Sequence, residues 1–286
     1  MTRWANVLAA ICVQAAPFVV LGALLSGCLR VAPRSWLRRW VPRRQALAVP
    51  ALGLVGVALP GCECGSVPAA AGLIAGGVGA GPATAFMLSA PGANPVVLAA
   101  TATAFPGRPG VVAARFVGAL LLAACVGWLV SSGIVGHPRP PTEVSGGHTH
   151  AARDGPWEFL DAVTDEALRS LGLLSMGAAA AAAIVVLVPR GLLSGIAHVP
   201  VLSVFALALL ATLMSICSQA DAFIARSFTG FSTTAQLAFM ILGPAVDLKL
   251  AAMQAGAFGA RFSIRFAVAT FAVGLGVACL VAAVIA

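Results

Sequence analysis

Long apolar runs fill this chain, and short groups of polar residues separate them. A helix needs roughly 20 apolar residues to cross the hydrocarbon core of a bilayer, so the runs predict membrane-spanning helices. The predicted crossings are residues 5–29, 45–80, 83–104, 108–131, 170–188, 199–216, 234–253 and 262–286. We therefore expect an all-α polytopic membrane protein with eight crossings.

Helix-breaking residues interrupt two of the runs in each half of the chain. The interruptions in the first half read LPGCECGSVP at residues 59–68 and APGANP at residues 90–95. Those in the second half read SICSQAD at residues 215–221 and LGPAVDLK at residues 242–249. Backbone freed from helical hydrogen bonds is tolerated at membrane depth only inside protein or against a watery cavity, so each break indicates a site. The prolines expected to break helices are Pro60, Pro68, Pro91, Pro95 and Pro244.

The two halves also match each other. A shift of 153 residues, without gaps, lays Cys64 on Cys217, Pro91 on Pro244 and Asn94 on Asp247. We interpret the chain as a first transmembrane repeat at 1–133, a linker at 134–153 and a second repeat at 154–286, a common plan for transporters with a central site. Whether the repeats are parallel or inverted stays open, because each Cys break could be an interrupted crossing or a re-entrant pair.

Composition supports the membrane assignment and narrows the partners. Hydrophobic residues make up 60% of the chain and charged residues 9%, against roughly 25% charged in soluble domains. Six of the 17 basic residues lie between Arg30 and Arg44 beside an apolar run, which predicts a cytoplasmic, lipid-facing segment and no nucleic-acid partner. The linker, poor in basic residues, is expected outside the cytoplasm; it carries His137, His148 and His150, as a flexible loop or a weak metal-binding segment.

Arg108 and Arg115 begin the fourth crossing. The ionisable side chains at the breaks are few: Glu63, Asp221, Asp247 and Lys249, with Arg226 close behind. A charge at the bilayer centre costs about 2.5–3.5 kcal/mol even on the lenient insertion scale, so these residues must face a cavity or a partner. Asp247 and Lys249 are close together across a proline-broken turn. That spacing fits either a local charge pair at a helix end or a contribution of Asp247 to a site.

Three cysteines lie at the breaks: Cys62, Cys64 and Cys217. Thiolates are soft ligands that favour Cu(I), Zn and similar thiophilic ions, and trivalent arsenic shares that preference. We therefore expect a three-sulfur substrate or metal pocket near the midplane, with Glu63 or Asp221 exchanging protons as the thiols open and close. The predicted substrate-binding residues are Cys62, Glu63, Cys64, Asn94, Cys217, Asp221 and Asp247. Packing is the ordinary role expected of the cysteines within uninterrupted runs.

The motifs around the breaks resemble the ArsP-type predicted permease family. The first signature is GCECGSVP at residues 61–68 followed by AFMLSAPGANP at 85–95. The second is CSQADAF at 217–223 followed by AFMILGPAVDLK at 238–249. The resemblance implies a bacterial inner-membrane permease of about eight helices. In the characterised branch, such permeases expel trivalent organoarsenicals, with cysteines at the substrate site.

The expected activity is secondary-active export of a trivalent organoarsenical or soft metal ion, not an enzymatic reaction. No cofactor is expected, and no Gly-x-x-x-x-Gly-Lys-Ser/Thr phosphate-binding run occurs, so coupling would be to protons or another gradient. The resemblance also implies a small membrane partner subunit and a link to metal homeostasis. The alternatives are a membrane thiol–disulfide conductor, which would form a reversible Cys64–Cys217 disulfide, and an accessory subunit of a permease complex.

Overall fold

The computed structural model describes residues 2–31, 41–42, 44–58, 63–138, 156–187 and 199–285. These residues form twelve α-helices and no β-strand. The first six are α1 (Thr2–Val31), α2 (Gln45–Val57), α3 (Glu63–Ala75), α4 (Ala80–Ala93), α5 (Pro95–Ala104) and α6 (Pro109–Ser131). The other six are α7 (Pro156–Leu187), α8 (Pro200–Met214), α9 (Asp221–Ser227), α10 (Thr233–Leu242), α11 (Leu248–Phe258) and α12 (Ala260–Val284).

The described helices confirm an all-α, multi-pass membrane protein. Four stretches are long and apolar enough to span a bilayer: Trp4–Cys28, Ala80–Ala104, Pro109–Ser131 and Ala260–Val284. Shorter apolar helices occupy Gln45–Val57, Val201–Met214 and Thr233–Leu242. These three helices are shorter than the roughly 20 residues that a full crossing needs. The count of eight crossings therefore stays a prediction.

The core of the protein is built around α4 and α10. Every residue of α4 from Gly81 to Ala93 is buried, as is every residue of α10 from Ala235 to Leu242. A helix that is apolar on all sides belongs in the interior. In contrast, α1, α8 and α12 leave large apolar side chains exposed, such as Val13, Val201 and Val268. These outer helices provide the surface that faces lipid.

The helix bounds of the two halves correspond closely. A shift of 153 residues carries the first residue of α4, Ala80, onto the first residue of α10, Thr233. The same shift carries the first residue of α5, Pro95, onto the first residue of α11, Leu248. This correspondence favours the interpretation as two repeats, which remains a prediction.

The predicted helix-breaking prolines have different positions. Pro95 is the first residue of α5 and Pro244 lies in the turn between α10 and α11. Pro68 and Pro91 lie inside α3 and α4. Pro68 is therefore not at a helix break, because α3 already begins at Glu63. Pro60 lies outside the described residues.

Most of the predicted linker, including His148 and His150, also lies outside the described residues. His137, at the start of that linker, is described and exposed.

Candidate functional site

Three buried carboxylates stand at the N-terminal ends of short helices. Glu63 is the first residue of α3, Asp221 is the first residue of α9, and Asp247 is the N-cap of α11. Each is 1% exposed. The N-terminal end of a helix carries a partial positive charge and unpaired N–H groups. Breaking the membrane helices therefore creates the positive ends at which these carboxylates can be buried.

Lys249, on the first turn of α11, is the cation of the first ion pair. Its Nζ lies 2.6 Å from Oε1 of Glu63 and 3.4 Å from Oδ2 of Asp247. It also donates a hydrogen bond to the carbonyl oxygen of Ser215 at 3.0 Å. An ammonium group has three donors, so three neighbouring oxygens surround this buried charge. Gly177 on α7 lies so close that a Cβ there would overlap Lys249 Cα.

The strained backbone of Ser215 helps to build this environment. Ser215 ends α8 in the left-handed region, at φ 47° and ψ 46°, and is the one non-glycine residue with positive φ in the described part of the chain. Such conformations cost roughly 1–3 kcal/mol. Here the conformation accompanies two contacts to α11: the Ser215 carbonyl accepts from Lys249, and its hydroxyl accepts from the Leu248 N–H at 3.2 Å.

Arg115 forms the second buried ion pair. Its guanidinium donates to both carboxylate oxygens of Asp221, each at 2.7 Å. It also donates to the Ser218 carbonyl and the Thr101 hydroxyl, each at 3.0 Å. Bidentate arginine–carboxylate pairs are strong and directional. Arg115, which is 0% exposed, therefore fixes α6, α5 and the start of α9 together.

Both ion pairs join one half of the chain to the other. With Asp247, the second carboxylate near Lys249, their residues form what we call the buried ion-pair cluster: Glu63, Arg115, Asp221, Asp247 and Lys249. The short segment from Ser215 to Asp221 links the two pairs, because Ser215 accepts from Lys249 and Asp221 accepts from Arg115. The cluster contains three carboxylates and two cations. Among the described residues, Glu63 Oε2 accepts no hydrogen bond although it is buried.

Asn94 and Asp247, which the 153-residue shift superimposes, have the same structural role. The Asn94 side chain accepts from the Val97 N–H at 3.0 Å and caps α5. The Asp247 side chain accepts from the Leu250 N–H at 2.5 Å and caps α11. Asn94 also donates to the carbonyl of Ala90, which satisfies a group freed by the break. Asp247 differs in carrying a charge next to Lys249.

Two of the predicted cysteines belong to the described residues, and each is close along the chain to residues of the cluster. Cys64 follows Glu63 directly and is 1% exposed. Cys217 is half-buried in the non-helical segment between Ser215 and Asp221, where its carbonyl accepts from two N–H groups. Both flanking residues of that segment contact the cluster or belong to it. A shared site for the two cysteines stays a prediction.

Cys62 lies outside the described residues. Within the described part of the chain, no three His, Cys, Asp or Glu side chains converge to hold a metal ion. The carboxylates there are instead occupied by Lys249 and Arg115. The predicted three-sulfur pocket therefore stays a prediction.

Sequence reasoning missed two features of the cluster. Arg115 was expected at the start of a crossing and not in an ion pair inside the protein. The comparison of the two halves did not indicate this pair, because the residue that matches Arg115 in the second half is Val268. The main partner of Lys249 was also missed, since the local pair with Asp247 is the longer contact. A signal was available, because Lys249 is the one lysine among 17 basic residues.

Comparisons with known proteins agree with this architecture. A family model described as a predicted permease, of the ArsP type, matches residues 2–286. A Streptococcus mutans protein named as a subunit of a two-component membrane permease complex is 31% identical over 262 residues, covering 90% of this chain and 87% of that protein. The UPF0718 protein YcgR of Bacillus subtilis is 34% identical over 264 residues, covering 90% and 89%. No solved structure matches the chain significantly.

Asp221→Asn is expected to lower the free energy of unfolding by about 3–5 kcal/mol, because the buried Arg115 guanidinium loses its charge partner. In the double variant Arg115→Gln with Asp221→Asn, the loss should be smaller than the sum of the single losses. Unfolding in mixed micelles measures the free energy of unfolding of Asp221→Asn, Arg115→Gln and the double variant. The control is Arg261→Gln, at an exposed arginine at the start of α12, which should change stability by less than about 0.5 kcal/mol. Strictly additive losses would contradict the pair.

Proposed function

Because the chain belongs to the ArsP-type predicted permease family, we propose that this multi-pass membrane permease exports a thiophilic small solute. The proposed substrates are a trivalent organoarsenical or a soft metal ion, and the proposed location is the bacterial inner membrane. Family membership supports a transporter and not an enzyme. The substrate route proposed here passes between the two halves at the buried ion-pair cluster.

One observation carries this proposal: Cys64 and Cys217 each belong to a segment whose residues contact the buried ion-pair cluster, at the breaks between helices. Cys64 is next to Glu63, which is bound to Lys249, and Lys249 is bound to Ser215 in the segment that holds Cys217. Half-helix ends that meet at a polar centre are a recurring arrangement at transporter binding sites. Soft thiol ligands at this position favour a thiophilic substrate.

The polar atoms around the cysteines suit a substrate that also carries hydroxyl groups. Within the described residues, Glu63 Oε2 and Ser218 Oγ are buried and make no hydrogen bond. Leaving such groups unpaired costs about 1–3 kcal/mol each, so a ligand that supplies donors would be stabilised here. A hydrated trivalent arsenical has both a thiophilic centre and hydroxyl donors. Cys62 would supply the third sulfur.

A partner subunit is a further part of the proposal. The Streptococcus mutans relative is named as one subunit of a two-component permease complex. We propose that this chain is likewise one subunit of a membrane assembly, and that it is the subunit that contacts the substrate. The accessory-subunit alternative differs in one respect, because it requires no substrate contact at the cysteines.

We expect Cys64→Ser and Cys217→Ser each to abolish efflux while the protein stays folded and in the membrane. A serine hydroxyl keeps the size of the thiol but lacks its affinity for soft ions. Uptake of methylarsenite, Zn²⁺ and Cu⁺ into everted vesicles measures the export direction for each candidate. Cys279→Ser, at an exposed cysteine on α12, is the matched control and should transport like the wild type.

The outcomes of that experiment separate the alternatives. Full transport by a variant lacking Cys62, Cys64 and Cys217 would contradict the proposal and favour the accessory-subunit interpretation. A Cys64–Cys217 disulfide that forms reversibly and exchanges with a thioredoxin would instead favour the thiol–disulfide conductor.

Asp247→Asn should separate helix capping from charge. Asparagine caps helices about as well as aspartate, and Asn94 does so at the equivalent break. Thermal stability should therefore stay within a few degrees of the wild type, while efflux should fall roughly tenfold, because Lys249 loses one of its two carboxylates. Asp247→Ala should also lose about 1 kcal/mol of stability. Unchanged efflux by Asp247→Asn would assign the residue to capping alone.

A further inference from the structure

A groove on the surface, separate from the buried ion-pair cluster, lies between the end of α5 and the start of α6. Its volume is about 530 Å³, within the usual range of small-molecule sites, about 300–1,000 Å³. The lining is almost wholly apolar and includes Leu98, Ala102, Phe105, Val112 and Phe116. Arg108 is the one charged side chain among its lining residues.

The groove lies where the membrane helices meet the interface. Its walls belong to the candidate spans Ala80–Ala104 and Pro109–Ser131, and Arg108 lies in the turn between them. Ala102 and Ala113 in the walls are exposed, so the groove opens sideways. An apolar cleft that opens at this depth is accessible to the acyl chains of the bilayer.

A second arginine reaches the same corner from the other half of the chain. The Arg226 guanidinium on α9 lies 5.8 Å from the ring centroid of Phe105, and the Phe105 carbonyl accepts from the Arg108 N–H at 3.2 Å. Both arginine side chains are exposed. One cation therefore belongs to the groove wall, and a second lies against Phe105, which is also part of that wall.

We propose that this groove binds one anionic phospholipid, with the phosphate at Arg108 and Arg226 and an acyl chain along Leu98, Val112 and Phe116. Arginine recognises phosphate through paired, charge-assisted hydrogen bonds. Basic pockets between membrane helices bind anionic lipid headgroups, and Arg108 lies in a turn between two candidate spans. Because α9 also carries Asp221, which pairs with Arg115 on α6, a lipid bound at Arg226 would stabilise the contact between the two halves.

Titration of the detergent-solubilised protein with phosphatidylglycerol or phosphatidylcholine of the same acyl chains tests this assignment. Native mass spectrometry counts bound lipid, and thermal unfolding reports stabilisation. We expect phosphatidylglycerol to bind more tightly, and Arg108→Gln and Arg226→Gln each to weaken its binding roughly tenfold. Ala113→Phe should fill the groove and reduce binding of the anionic lipid without replacing a buried residue.

Arg261→Gln is the matched control, because a shift of 153 residues superimposes Arg261 on Arg108 and its side chain is also exposed. This variant should bind phosphatidylglycerol like the wild type. Equal binding of the two lipids, or an equal loss in Arg261→Gln, would overturn the site. If inorganic phosphate alone raised the unfolding temperature as much as phosphatidylglycerol does, the groove would be a small-anion site and the lipid proposal would fail. If the groove variants lost a co-purifying protein subunit but bound the lipid like the wild type, the groove would be the site of a partner helix instead. None of these readouts depends on the transport activity.

Discussion

Two buried ion pairs between the halves are the constraint on which the rest of the structure depends. Taking a charge out of water costs several kcal/mol, so Lys249–Glu63 and Arg115–Asp221 need further partners. The broken helices supply them, as helix N-terminal ends beside the carboxylates and as the freed carbonyls of Ser215 and Ser218. The breaks in the membrane helices and the buried charges are therefore two parts of one arrangement.

The two ion pairs are built differently, and the difference suggests a division of roles. Arg115 holds both oxygens of Asp221 in a planar fork, which suits a fixed clamp. Lys249 is a compact charge that takes one oxygen of Glu63 and leaves the other without a hydrogen bond among the described residues. The junction of α3 with α11 is thus held by the less constrained pair, and Arg115 is the more rigid link between the halves.

Much of the fold was predictable because prolines, glycines and polar residues mark the breaks in an otherwise apolar chain. The interruption at Asn94 follows from Pro95, which disfavours helical geometry in the residue before it. The expectation that Pro68 lies at a break was wrong. Pro68 lies inside α3, which begins at Glu63. The pairing of Arg115 with Asp221 was not predictable, since it depends on packing between elements 106 residues apart. Lys249 is the one lysine of the chain, and this could have indicated a specific role such as its ion pair with Glu63.

The proposed export route requires the buried ion-pair cluster to present Cys64 and Cys217 to one shared substrate. Binding of methylarsenite to the detergent-solubilised protein, measured as arsenic bound per protein, tests this directly when the wild type is compared with Cys64→Ser, Cys217→Ser and Cys279→Ser. We expect Cys64→Ser and Cys217→Ser each to lose methylarsenite binding, and Cys279→Ser, at an exposed cysteine, to bind it like the wild type. Unchanged binding by Cys64→Ser or by Cys217→Ser would contradict the shared site.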